Sequence, residues 1–190
     1  MIKLKINTPR WAIIHHEAGN NGFESVNRYH RNNPKIWLGV YSGLGFAIAY
    51  HYYIDKLGKI YQGRLDTDEG AHTIGMNTKS VSICLQGNFN EEIPTEAQEN
   101  ALRGLLVDLT AKYNIPISHI VPHRKFSRTD CFGLKLPDNW AQNLLDESDL
   151  DESDRKVKID LLIKQISLME KLLMVFTKIL SFFKGRKNKE

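Results

Sequence analysis

Three side chains in this sequence bind metals by nature and sit where a fold could gather them. His15 closes the apolar run "WAIIHH", while His123 and Cys131 bracket "HRKFSRTDC", with the cysteine eight residues after the histidine. The cysteine has three readings: half of a disulfide, a buried apolar thiol, or a metal ligand. Cys84 and Cys131 are the only two cysteines, so at most one disulfide can form. That is too few for a disulfide-built secreted scaffold and points to synthesis in a reducing compartment. Neutral histidine and cysteine thiolate are zinc ligands, and a catalytic zinc keeps three protein ligands and one open position. A lone histidine is nonetheless more often a surface or satisfied core residue, so the residues alone leave the three readings open.

The elements around these residues are readable as a coarse map. "WAIIHH" is apolar and β-branched and reads as a buried strand ending at His15 and His16. Adjacent strand residues face opposite ways, so His16 is expected to turn away from His15, and His51 away from Tyr50. "SVNRYHRNN" reads as a helix ended by Pro34. "GFAIAYHYYID" is strand-like, "KLGK" reads as a hairpin turn leading to "IYQGR", and "SVSICLQG" is a buried strand carrying Cys84. "PTEAQENALRGLLVDLTAKYN" is the clearest helix, with a capping-box pattern at Thr95 and Gln98 and a face of Ala97, Ala101, Leu105 and Leu109. "ISHIV" is a short strand feeding His123. This order gives an α/β fold: a mixed central sheet flanked by helices. The stretch from Pro34 to Gly45 reads as a loop holding Trp37 and Tyr41, the kind of loop that walls a ligand site, so Trp37 is a candidate substrate contact.

The segments "AIIHHEA", "AYHYYID", "GAHTIGMNTKSVSICLQGNF" and "HRKFSRTDC" together resemble the zinc-dependent N-acetylmuramoyl-L-alanine amidases of type 2, which include phage amidase-type lysozymes and peptidoglycan recognition proteins. The resemblance runs from about Pro9 to Trp140, in order. It implies that His15, His123 and Cys131 bind Zn2+ and that the substrate is the amide between N-acetylmuramic acid and L-alanine in peptidoglycan. Tyr50 takes the place of the family's site tyrosine, which would hydrogen-bond the attacking water or the developing oxyanion. Thr129, two residues before the cysteine, stands where relatives carry threonine or lysine; it can donate a hydrogen bond but supplies no positive charge. The segment holding His72 lies beside the family's groove, which makes His72 a candidate substrate contact or a structural loop histidine. Three positions depart from the pattern: Glu17 after the histidine pair, Lys125 after "HR", and Phe132 in the Phe132-Gly133 that follows the cysteine.

The resemblance implies an enzyme, and "MIKLKINTPRWAIIHH" holds no apolar run long enough for a signal peptide, which fits a phage or prophage endolysin made in the cytoplasm without one and acting on the wall after release. A recycling amidase for soluble muropeptides and a non-catalytic peptidoglycan-binding protein are the alternatives. The net charge of +4 with a pI near 9.0 is too mild to argue for a polyanion by itself, and no nucleic-acid partner is expected. The composition changes at Asp146. Residues 1–145 form the expected amidase domain, 146–154 ("DESDLDESD") an acidic linker, and 155–190 a separate C-terminal amphipathic helix. In that helix Ile159, Leu162, Ile166, Met169, Leu173, Phe176, Leu180 and Phe183 follow alternating steps of three and four, a coiled-coil seam that implies homo-oligomers. Its lysines leave contact with a membrane surface as the competing reading.

Overall fold

Strand β1 (Trp11–His16) has almost no polar residue before its terminal histidines, and the fold uses that by burying it on both faces. It pairs in parallel with β4 (Ser80–Leu85) on one side and β5 (Ile120–Pro122) on the other. Beyond β4 lie β2 (Tyr52–Ile54), parallel to it, and β3 (Ile60–Gln62), antiparallel at the edge, giving the order β3-β2-β4-β1-β5. Parallel strands covered on both faces favour continuous apolar runs, which β1 supplies as far as Ile14, while β4 alternates Ser80 and Ser82 with Val81, Ile83 and Leu85. The computed structural model describes residues 5–33, 41–145, and Ile163, Ile166, Ser167, Met169, Glu170, Leu173, Met174 and Phe176. Trp37, the segment 146–154 and most of 155–190 therefore lie outside the described residues. By internal contacts the chain divides into two units, Met1–Leu145 and Asp146–Glu190.

The two faces of the sheet have different jobs. Ala12, Ile14, Val81, Ile83, Leu85 and Ile120 pack against Leu102, Leu105, Leu106 and Leu109 of helix α2 (Glu96–Tyr113), forming the main core. The predicted capping box is present: Thr95 accepts the Gln98 N–H, and the Gln98 side chain accepts the Thr95 N–H. The buried stripe, however, is rotated from the expected one: Gln98 and Leu102 are fully buried, whereas Ala97 is exposed. Gln98 draws its side inward because its amide donates to the backbone oxygens of Ile54 and Gln86 at the strand ends.

On the opposite face, Ile13, His15, Ser80, Ser82 and Cys84 alternate with the core residues, and helix α1 (Phe23–Asn32) covers part of it. Phe23 and Val26 pack with Ile48, Tyr53 and Cys84. The sequence suggested a strand through Gly45–Asp55, but regular pairing covers only Tyr52–Ile54. Ahead of it, side chains of α1 replace the ladder: Asn27 Oδ1 accepts the N–H groups of Ala47 (2.8 Å) and Ile48 (3.1 Å), and His30 Nδ1 accepts that of Ala49 (3.0 Å). These bonds fix the backbone that leads into Tyr50. "ISHIV" likewise splits into a 3-10 turn, Ile117–His119, and the short strand β5. In the second unit, the described residues Ile163, Ile166, Met169, Leu173 and Phe176 are helical and each exposes 56 to 70% of its surface.

Asn27 is buried, and its removal orphans two backbone donors at once. Asn27→Ala is expected to lower the unfolding free energy by roughly 2 to 4 kcal/mol, at 1 to 3 kcal/mol per unsatisfied buried group, measured by urea denaturation. Thr95→Ala, which removes only a helix cap, is expected to cost about 1 kcal/mol in the same assay.

Candidate active site

The site forms where β1 and β5 end side by side. His15 is the fifth residue of β1, and His123 immediately follows β5. The connection after β1 crosses to β2 on one side, while β5 is added on the other. Such a reversal opens a crevice at the carboxyl ends of parallel strands. Cys131 reaches the crevice from a loop that Arg124 holds down. The Arg124 N–H donates to the Cys131 carbonyl (3.0 Å), and its guanidinium donates to Gly133 O, Leu136 O and Asp138 Oδ1. Phe132, 1% exposed, anchors the loop in the main core. Gly133 must be glycine: its φ is +99°, and a Cβ there would lie 2.3 to 2.5 Å from Phe89. The departure at Phe132-Gly133 is thus a local anchor and leaves the thiol in place.

One nitrogen from each histidine and the Cys131 sulfur lie within 4.8 Å of one another. His15 Nδ1 is 3.5 Å from Cys131 Sγ, and the His15 and His123 rings are 4.5 Å apart. A tetrahedral ion with bonds of about 2.0 Å to nitrogen and 2.3 Å to sulfur spaces those two ligands about 3.5 Å apart, so the donor set fits zinc in type and size. Cys84 and Cys131 are both free thiols, which removes the disulfide reading. Burial holds the His15 imidazole neutral, with its pKa well below the usual value, helped by the neighbouring His72 and His123. Burial lowers His123 as well, and it pushes the Cys131 thiol up to about 11.

The other expected residues distribute as follows. Tyr50 stands beside the cluster, its ring 5.0 Å from that of His15. Burial and the nearby Cys84, Cys131 and Glu17 push its pKa well up, so it stays a phenol able to donate. Cys84, fully buried, belongs to the apolar cluster against which Tyr50 packs. Thr129 Oγ1 accepts the Cys131 N–H (3.2 Å), which sets the hydroxyl next to the thiol's backbone and leaves its proton to donate. His16 turns to the other face and accepts the Phe89 N–H at 3.0 Å. His51 faces away from Tyr50 into a pocket with Ser82 and the Asp68 carbonyl. His72, 9% exposed, has its Nδ1 3.1 Å from His15 Nε2.

An open cleft of about 480 Å3 adjoins Tyr50, lined by Glu17, Asn21, Ser25, Val26, Tyr29 and His30 as well. Glu17 is bound within the turn after β1, accepting Asn21 N–H (2.7 Å), Asn21 Nδ2 (2.8 Å) and the Tyr53 hydroxyl (2.5 Å). Asn27, His30 and Arg124 were not singled out from the sequence. For the helix pair a signal existed: with Phe23 and Val26 they occupy one face, so two polar residues were due to be buried there.

An α/β sheet that gathers two imidazoles and a thiol at its carboxyl edge, beside an open cleft with a phenol, defines a protein with a cation-ready reaction site. The profile of the N-acetylmuramoyl-L-alanine amidase family matches residues 5–134. Peptidoglycan-recognition protein SC2 of Drosophila melanogaster is 32% identical over 137 residues, covering 66% of this chain and 69% of that protein. The endolysin of Escherichia phage T7 is 30% identical over 135 residues, covering 68% and 82%. Among solved structures, an N-acetylmuramoyl-L-alanine amidase from Clostridium intestinale superposes with a TM-score of 0.62 at 27% identity, over 80% of this chain and 95% of that one. The chain belongs to the N-acetylmuramoyl-L-alanine amidase family, a family of amide hydrolases.

The protonation states give a direct test of the cluster. Near neutral pH the metal-free histidines are already neutral, while the Cys131 thiol, with its raised pKa, still carries its proton. Zinc uptake is therefore expected to release about one proton per chain, and affinity to weaken about tenfold per unit fall in pH. An indicator dye in weak buffer reads the release, and Cys131→Ala should abolish it.

Proposed function

We propose that this chain hydrolyses the amide between N-acetylmuramic acid and L-alanine of peptidoglycan with a zinc ion held by His15, His123 and Cys131. The observation that carries this reading is the convergence of those three donors at a spacing suited to one tetrahedral ion, in a chain of the amidase family. A zinc ion there would acidify water toward pH 7 and polarise the amide carbonyl. The neutral imidazoles of His15 and His123 present lone pairs, and Cys131 as thiolate leaves the site with a net charge of about +1. Tyr50, kept protonated, donates toward the oxygen on which negative charge develops. Thr129, whose hydroxyl accepts the Cys131 N–H, orients the reacting groups with one neutral hydrogen bond. The cleft between Tyr50 and α1 has the position to receive the stem peptide.

The biological role we infer is that of a phage or prophage endolysin, in keeping with the phage relatives. Those relatives are endolysins by name, and among the described residues no helix is long and apolar enough to cross a membrane. The peptidoglycan-recognition relatives favour a second reading, wall binding without turnover. The presence of all three donors argues for the enzyme. For the C-terminal segment we propose self-association through its exposed apolar face, with attachment to an anionic membrane surface as the competing outcome.

The purified protein should release amine ends from sacculi, lose that activity to chelator and regain it with added zinc. Cys131→Ser should lose the metal. Absence of zinc together with chelator-resistant turnover would overturn the mechanism. Tyr50→Phe is expected to keep zinc and lose about 10- to 1000-fold in rate, the range for one positioned donor. Thr129→Ala should lose on the order of 10-fold, since a neutral hydrogen bond is worth about 1 kcal/mol.

Light scattering of the full chain against a version ending at Leu145 tests the tail. An oligomer that collapses to a monomer on truncation is expected. A monomeric full chain that binds anionic vesicles would replace self-association with the membrane reading.

A further inference from the structure

We propose that His72 is a positioning residue for the metal: it accepts the Nε2–H of His15 and so fixes the tautomer and orientation in which His15 presents Nδ1 to the ion. The proposal rests on the zinc reading of the site. His15 has one ring nitrogen on each side of the problem. Nδ1 faces Cys131 at 3.5 Å, and Nε2 faces His72 Nδ1 at 3.1 Å. A ligand nitrogen must offer a lone pair, so with zinc on Nδ1 the proton of a neutral imidazole sits on Nε2. In a residue 1% exposed that N–H needs an acceptor, and His72 Nδ1 is the atom within reach.

The consequences run further along the same chain of bonds. Once Nδ1 of His72 accepts, its own proton lies on Nε2, which is 3.4 Å from Ser80 Oγ. Ser80 is free to accept there because its hydroxyl donates to the Met76 carbonyl at 2.7 Å. The Thr73 hydroxyl lies 3.0 Å from the same His72 Nδ1 and shares that acceptor. The series from His15 through His72 and Ser80 thus runs away from the metal and ends on the Met76 backbone oxygen.

The fold is built to hold this ring. Asn77 Oδ1 accepts the N–H groups of both His72 and Thr73 at 2.9 Å, closing the loop around it. Gly70 gives the ring room, since a Cβ there would lie 2.5 Å from His72 Cδ2. The His51 ring stands edge-on at 5.9 Å, itself fixed by the Asp68 carbonyl and Ser82.

Without metal, His15 can place its proton on Nδ1, toward the Cys131 sulfur, and dispense with the His72 acceptor. The cost of losing His72 therefore falls on the metal-bound state. His72→Leu keeps volume and removes the acceptor; His72→Asn keeps a carbonyl oxygen at the place of Nδ1. Zinc affinity, read by competition with a chromophoric chelator, is expected to weaken about 10- to 100-fold in His72→Leu, the usual loss for an outer partner of a ligand histidine, and to return to within about threefold of wild type in His72→Asn. Thermal melting of the metal-free proteins should differ little between the two. Unchanged zinc affinity in His72→Leu, or an equal loss in both variants, would overturn the proposal.

Nitrogen–proton correlation spectra of the wild-type protein make the test independent of how the variants fold. The zinc-loaded protein is expected to show His15 and His72 both protonated at Nε2. His72 protonated at Nδ1 would reverse the bond and refute the assignment. If the wild-type protein binds no zinc, the metal reading falls and this proposal with it; zinc bound without a His15 Nε2–H donated to His72 overturns this proposal alone.

Discussion

Burying an imidazole at the end of a doubly covered strand is the constraint on which the rest of this structure depends. His15 follows three fully buried apolar residues and is 1% exposed. Neither of its nitrogens can rely on water. Each must be met by the protein or by a ligand, and unmet buried polar groups cost about 1 to 3 kcal/mol apiece. The loop carrying Cys131 comes to one nitrogen and the loop carrying His72 to the other. Arg124 and Gly133 hold the first loop in place; Asn77 and Gly70 hold the second.

The same constraint explains why the two faces of one sheet differ so much. Toward α2 the strands show mainly aliphatic residues set by packing, with His16 at the end of β1 accepting the Phe89 N–H. Toward α1 they show His15, Ser80, Ser82 and Cys84, and hydrogen bonds set theirs. Three of the histidines on or near this face are held neutral by burial: His15 and His72 well below their usual range, and His51 down to about 4. A cluster of neutral imidazoles with a protonated phenol and thiol carries no charge of its own. It takes up a cation at the cost of the single Cys131 thiol proton.

Much of this was legible in the sequence, for physical reasons that can be named. "WAIIHH" gave its strand residue by residue, because a doubly buried strand has little choice but a continuous apolar run. The capping box of α2 was likewise readable, since it depends on two residues three apart. The spatial meeting of His15, His123 and Cys131 was not readable from spacing; it came from the resemblance carried by four separated segments. What stayed hidden were bonds between distant residues. The stretch before Tyr50 looked like a strand, and nothing local reveals that Asn27 and His30 take over its backbone donors. The rotation of the α2 face was hidden too, because Gln98 is polar by type and is buried only by virtue of two strand-end carbonyls. The contact of His72 with His15 was hidden as well, since the two lie 57 residues apart.

The central claim is that one zinc ion is held by two nitrogens and one sulfur of this chain. X-ray absorption at the zinc edge on the purified full-length protein tests it most directly. The expected spectrum fits two nitrogen ligands near 2.0 Å, one sulfur near 2.3 Å and one further light atom, at about one zinc per chain. A shell without sulfur, a shell with several sulfurs, or protein that cannot be loaded with zinc would contradict it.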